Sequence, residues 1–229
     1  MHTTHSTTAT FDTHTPITAT VNIPAGRIRF IAADRTDTTI EVLPADPTKN
    51  RDVKTAQQTT IDYHDTVLRI ETPANNQYFG PSGTVDVTIQ LPTGSHVQAR
   101  TASTEIRGVG KLGNVTLQGA QATAKLDETA TAHLTIHTGD ITIGRLTGSA
   151  HISTRKGDLN ITEATHGTLT LHTEHGDITL ATPRATPATL HAHTTHGHIH
   201  NSLNNTNGPT TNLTIHATTT HGNITARSL

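Results

Sequence analysis

Apolar and polar residues alternate through the second half of the chain, and a glycine interrupts the alternation at regular intervals. Aligned on Gly139, Gly157, Gly176, Gly197 and Gly222, five segments share one pattern that returns every 18 to 25 residues. Leu134, Ile152, Leu171, Ala192 and Ala217 stand five positions before the glycine. Ala132, Ala150, Leu169, Leu190 and Ile215 stand seven before it, and Ile136, Thr154, Thr173, Thr194 and Thr219 three before. After the glycine the apolar series resumes with Ile141/Ile143, Leu159/Ile161, Ile178/Leu180, Ile199 and Ile224/Ala226. A period of two marks strands with one buried face.

Each repeat therefore reads as strand, glycine-centred turn, strand and return loop. About 19 residues at roughly 3.3 Å each describe a circuit of about 60 Å, which suits a flattened coil with two strand-bearing sides. Stacked coils satisfy the backbone through parallel ladders and bury each apolar face only against neighbouring coils. The fold class expected is all-β: a β-solenoid of about 19-residue coils with a less regular β N-terminal part. An antiparallel β-sandwich, in which each glycine turn closes a hairpin, is the alternative.

The first hundred residues are less periodic. Phe11 to Ile23, Arg27 to Ala32, Thr38 to Leu43, Thr59 to Tyr63, Val67 to Glu71 and Thr84 to Leu91 read as strands, broken by Pro24-Ala25-Gly26, Pro44 to Asp52 and Pro73 to Gly83. Asp52 to Gln58 is the one segment with a helical reading. Pro73 to Gly83 is expected to be a mobile loop. Residues 1–100 are expected to cap residues 101–229, the β-repeat solenoid, within one continuous domain, because an end coil needs cover.

Composition supports a thin core. Only 31% of the 229 residues are hydrophobic and 2% aromatic, too few for a centre filled with large rings. The most frequent residue is Thr, which is β-branched and packs well on a pleated surface. There is no Cys, which removes disulfides, thiol catalysis and thiolate metal sites. A formal net charge of −2 and scarce aromatics argue against nucleic acid as a partner. No apolar run approaches the length of a membrane span, and Met1 to His5 has neither a basic segment nor an apolar core. The chain as given is expected to be cytoplasmic, or extracellular if an export signal has been trimmed from it.

Several local sequences occur together: Phe11-Asp12-Thr13 with Pro16-Ile17, Ala33-Asp34-Arg35-Thr36-Asp37, Ile40-Glu41-Val42 with Pro44, and Asp52-Val53-Lys54 with Ala56. Gly83 to Ile89, Leu91-Pro92-Thr93-Gly94-Ser95, the Gly-Asp-Ile phrases and His200-Asn201-Ser202-Leu203 before Gly208-Pro209 complete the set. This combination resembles the actinobacterial branch of the bacterial "putative adhesin" family, β-strand-repeat proteins of unknown function, over nearly the whole chain. The resemblance implies an all-β repeat fold and no established enzymatic activity. His198 and Asn223 stand where the family phrase usually has Asp, so no ligand site carries over.

Histidine is the chemically suggestive excess, with 18 copies, 13 of them beyond residue 130. His175, His196 and His221 each precede a repeat glycine. In stacked coils they form a ladder with Cα atoms about 5 Å apart, whose middle rung in sequence order is His196. Zinc or nickel could bind there, zinc taking nitrogens at about 2.0 to 2.1 Å. His191/His193 and His198/His200 are i,i+2 pairs that could add ligands. All these positions are expected to face water, where His serves as well as Thr, and the plainer reading is a solvated surface.

Asp140, Asp158 and Asp177 form a second column. Three carboxylates could hold calcium, but Gly-Asp is also what a tight turn needs, with Asp bonding a nearby amide. Ser82, Ser95, Ser149, Ser153 and Ser202 lack a Gly-x-Ser-x-Gly setting, and nothing in the spacing selects a carboxylate pair from Asp62, Asp65, Asp86 and Glu105. His64 and Asp65 read as a solvated turn. Two functions follow: a non-catalytic β-repeat scaffold that binds a protein or glycan or self-associates, and a metal-binding protein or metal-dependent enzyme built on the His ladder.

Overall fold

The structure, a computed structural model, describes residues 6–73, 83–184, 186–204 and 212–229. The expected Pro73 to Gly83 loop lies, apart from its end residues, outside the described residues.

The chain opens with β1 (Thr7–Asp12), β2 (Thr18–Ala33) and β3 (Asp37–Pro44), then the helix α1 (Asn50–Gln58) and the hairpin of β4 (Thr60–His64) and β5 (Val67–Glu71). β6 (Val85–Pro92) leads into β7 (His96–Thr138), which turns through its corners without a break. The remaining strands are β8 (Ile141–Leu146), β9 (Ala150–Lys156), β10 (Leu159–Ala164), β11 (Gly167–His175), β12 (Ile178–Thr182), β13 (Ala188–His196), β14 (Ile199–Ser202), β15 (Leu213–His221) and β16 (Ile224–Ser228).

These strands wind as a β-solenoid with two faces. One face carries β7, β9, β11, β15 and β13 side by side, and the other carries β7, β8, β10, β12, β16 and β14. Every pairing among them is parallel. The antiparallel alternative therefore fails for the repeats, because each glycine turn passes the chain to the opposite face instead of folding it back on its neighbour. Antiparallel pairs are confined among the described residues to β1 with β3, β3 with β6, and β4 with β5.

Register confirms the interior columns. Leu134 pairs with Ile152, Ile152 with Leu171, Leu171 with Ala217, and Ala217 with Ala192. Leu134, Ile152, Leu171 and Ala217 are buried and Ala192 is half-buried. The order differs from the sequence at the end of the stack. β15 and β16 lie between β11/β12 and β13/β14, so the last two coils are interchanged. Asn201 supplies a physical reason, since it occupies the column of Ile161, Leu180 and Ala226. An amide in an interior column is tolerated where water reaches it, at the end of the stack.

The N-terminal strands join the same winding. β2 pairs in parallel with β7 along Thr18 to Ile31, with β5 through its first half and with β6 through its second. The expected strand from Phe11 to Ile23 is interrupted where Thr13, buried, shares a hydrogen bond with Thr38 and Pro16 follows. Pro24-Ala25-Gly26, expected to separate two strands, is instead a corner inside β2. The helix packs against β3 and β6 through its Thr55 and Ala56 face, and Asp52 accepts the Thr84 amide at 3.0 Å. Phe11 of β1 meets Tyr63 of β4 with ring centroids 5.1 Å apart, bringing the outermost strands of the two faces together.

Candidate binding surface

The repeat glycine is required by space as well as by conformation. Gly176 has φ of 152°, and a Cβ there would stand 2.1 Å from the carbonyl oxygen of Gly157 in the coil beneath. That close approach lets two side-chain ladders run up the corner. Asp140 Oδ1 accepts the Asp158 amide at 2.9 Å, Asp158 the Asp177 amide at 2.8 Å, Asp177 the Asn223 amide at 2.7 Å, and Asn223 the His198 amide at 2.9 Å. The Asp column thus does turn chemistry, bonding the next coil's backbone. Behind it, the buried hydroxyls of Thr173 and Thr219 each donate at 3.0 Å to the glycine carbonyl one coil below, Gly157 and Gly176, and Thr194 does so to Gly222 at 2.9 Å. Sequence reading placed these threonines inward but missed what their hydroxyls do.

Outward positions form the complementary columns. His175 stacks on His221 with centroids 4.8 Å apart, and His221 stacks on His196 at 4.6 Å, both pairs within 5° of parallel. His221 is the middle rung, not His196, because of the interchanged coils. His191 stacks on His216 at 5.0 Å and His133 on His151 at 5.2 Å. His172 and His193 share a row but are separated by Thr218. An imidazole nitrogen binds zinc through a lone pair in the plane of its ring, and stacked rings hold those lone pairs in parallel planes instead of aiming them at one ion. Among the described residues no group of three or more His, Asp or Glu converges on one point.

Charge is divided along the stack. The lower coils carry alternating ion pairs on the outer surface, Lys111 with Glu128 at 3.5 Å and Arg145 with Glu163 at 2.7 Å, while Arg107 meets Asp127. Arg27 is held by both carboxylate oxygens of Asp86, which pushes its pKa upward. These two residues and Glu105 line an open groove of about 690 Å³ beside Gly26 and Gly139. By contrast, no Asp, Glu, Lys or Arg occurs between Arg184 and Arg227. This charge-free stretch was readable from sequence.

The remaining candidates have structural or solvated settings. Ser95 is fully buried, accepting the Ile17 amide at 3.1 Å and donating to the Pro92 carbonyl at 2.7 Å. Ser149 accepts the Thr168 amide at 3.1 Å. His64 and Asp65 pair at 3.0 Å in open solvent, Asp62 stands opposite Arg69 across the β4–β5 pair, and Ser82 lies outside the described residues. Among the described residues every buried side-chain nitrogen and oxygen has a hydrogen-bond partner. No helix there is long and apolar enough to cross a membrane.

The sequence profile of the Toastrack DUF4097 family matches residues 110–227. No curated protein matches the chain. Among solved structures, it is similar to a "putative adhesin" from Bacteroides fragilis, at 13% identity and a TM-score of 0.45, covering 98% of this chain and 97% of that one. It is similar also to a "putative lipid binding protein" from Parabacteroides distasonis, at 10% identity and a TM-score of 0.45, with 96% of each chain covered. A "putative cell adhesion protein" from Clostridium sporogenes matches at 10% identity and a TM-score of 0.39, over 98% of this chain and 100% of that one.

Proposed function

The chain belongs to the Toastrack DUF4097 family, and we propose that it is a non-catalytic scaffold whose upper coils offer a ribbed face of hydroxyls and imidazoles to a protein or glycan partner. The observation that carries this reading is the set of outward rows across β9, β11, β15 and β13: His151, Thr170, His216, His191 in one, and Ser153, His172, Thr218, His193 in the next. Hydroxyls and imidazoles at strand spacing give an extended array of donors and acceptors, held by a core that need not move on binding. The N-terminal strands and α1 serve this face as a cap. Screening the immobilised chain against glycan and protein arrays tests the reading. Binding that is lost in the Thr170→Glu/Thr218→Glu variant and kept in Lys111→Ala supports it. Turnover of a substrate that depends on a single side chain contradicts it.

A second reading makes His175, His221 and His196 a zinc- or nickel-responsive ladder. Three imidazoles on one exposed line favour it, and it requires at least one ring to rotate out of the stack. Zinc titration by calorimetry decides: uptake must be lost in His221→Ala, and equal uptake by parent and variant rejects it.

A further inference from the structure

We propose that the open end of the stack, β13 and β14, is a self-association surface that receives the same end of a second copy of this chain through antiparallel strand pairing on both faces at once. Among the described residues β13 pairs only with β15 and β14 only with β16. Thr189 aside, each therefore leaves one row of backbone N–H and C=O groups outside the sheet ladder of the described residues, a template for another strand. The side chains show the same incompleteness. Ile199 is 46% exposed, whereas its column neighbour Ile224 is 0% exposed. Leu190 and Ala192 are half-buried beside the fully buried Ile215 and Ala217. The opposite end has the Phe11–Tyr63 contact between its faces.

Edge strands in monomeric proteins are normally blunted by charge or proline. β13 and β14 contain no Lys, Arg, Asp, Glu or Pro. The geometry selects the occupant. Covering both strands together needs two further strands about 10 Å apart, the spacing of packed sheets. One extended peptide supplies a single strand, while a second copy supplies both at the matching separation. A two-fold axis across the end makes every new pair antiparallel and the interface isologous. An end of about 30 by 20 Å buries roughly 1,200 Å² in total, at the small end of specific interfaces, so a reversible dimer in the micromolar range is expected.

Protonation should oppose this contact. The end coil carries His191, His193, His196, His198 and His200. The strands packed against it add His216 and His221 on β15 and Arg227 on β16, and no carboxylate. Acid adds positive charge to imidazole, so it would set two cationic ends against each other.

Sedimentation equilibrium of the full chain in EDTA, from low to high micromolar concentration, is the first test. A dimer at about pH 8 that dissociates at about pH 5.5 with an unchanged circular dichroism spectrum is expected. Ile199→Lys should be monomeric at both values. Since the chain has no cysteine, nitroxide labels on Thr195→Cys and, separately, on Thr10→Cys locate the contact even if Ile199→Lys fails to fold. Dipolar spectroscopy should give an intermolecular distance for Thr195 and none for Thr10. A monomer at every concentration, a dimer that needs added zinc, or a distance at Thr10 alone overturns the proposal.

Discussion

The imidazole of His196 stacks on that of His221 at 4.6 Å, while His175 stacks on the other side of His221 at 4.8 Å. Sequence neighbours in the repeat series are thus spatial next-neighbours, with the last repeat between them. His221→Ala should therefore shift the ring resonances of both His175 and His196. His196→Ala should shift those of His221 and leave His175 nearly unchanged. Carbon-correlated NMR of the imidazoles reads both outcomes, and a direct response of His175 to His196→Ala would restore sequence order.

The interior columns make unequal demands on adjacent residues. Leu171 is 1% exposed between Ile152 and Ala217, so Leu171→Ala should cost about 2 to 5 kcal/mol through lost burial and a residual cavity. His172 faces outward and is only half-buried, and His172→Ala should change stability by less than roughly 0.5 kcal/mol. Chemical denaturation of both variants compares the two faces of one strand, and equal losses would mean the faces are reversed.

Thr173 is fully buried, and its hydroxyl donates to the Gly157 carbonyl at 3.0 Å. Thr173→Val keeps the shape and removes the donor. It should cost about 0.5 to 3 kcal/mol, the upper part of that range applying if the Gly157 carbonyl is left without a partner. Thermal unfolding should show the loss, and an unaltered midpoint would remove the hydroxyl ladder from the account.

Asp46 provides a pH test outside the repeats. Hydrogen bonds from the Thr48 hydroxyl and amide, with Lys49 beside them, lower its pKa from 3.8 to about 2. A depressed carboxylate favours the folded state above its ordinary range, and that contribution disappears as pH falls through about 2. Carboxyl NMR should show an Asp46 midpoint near that value, rising toward the ordinary range in Thr48→Ala. An ordinary midpoint in the parent would dissolve the cluster.

Much of this architecture is legible in sequence because the glycine constraint is local. Gly157 and Gly176 mark the corner, and Ile152 and Leu171 count back from it in steps of two along the strand. Coil order is a different kind of information. Exchanging the coils of Ala192 and Ala217 leaves every column filled by the same residue types, so alignment cannot tell which is the end. The signal that could have told is Asn201, the amide beneath which Ala226 and Leu180 continue the apolar series. Parallel winding also begins before the columns become visible. Gly26 has φ of 140° and would drive a Cβ to 1.8 Å from the Val85 carbonyl oxygen, making it a corner like Gly157. Pro24 beside it reads in sequence as a strand boundary. The His ladder was legible as a column, whereas its ring stacking depends on side-chain torsions that spacing does not encode.

Methyl NOE spectroscopy of the full chain tests the interchanged parallel stack most directly. Leu171 should show strong cross-peaks to Ile152 on one side and to Ala217 on the other, and Ala192 should show them to Ala217 alone. A cross-peak joining Leu171 to Ala192, with Ala217 contacting only Ala192, would contradict the order of the coils, and the absence of both Leu171 contacts would contradict the solenoid itself.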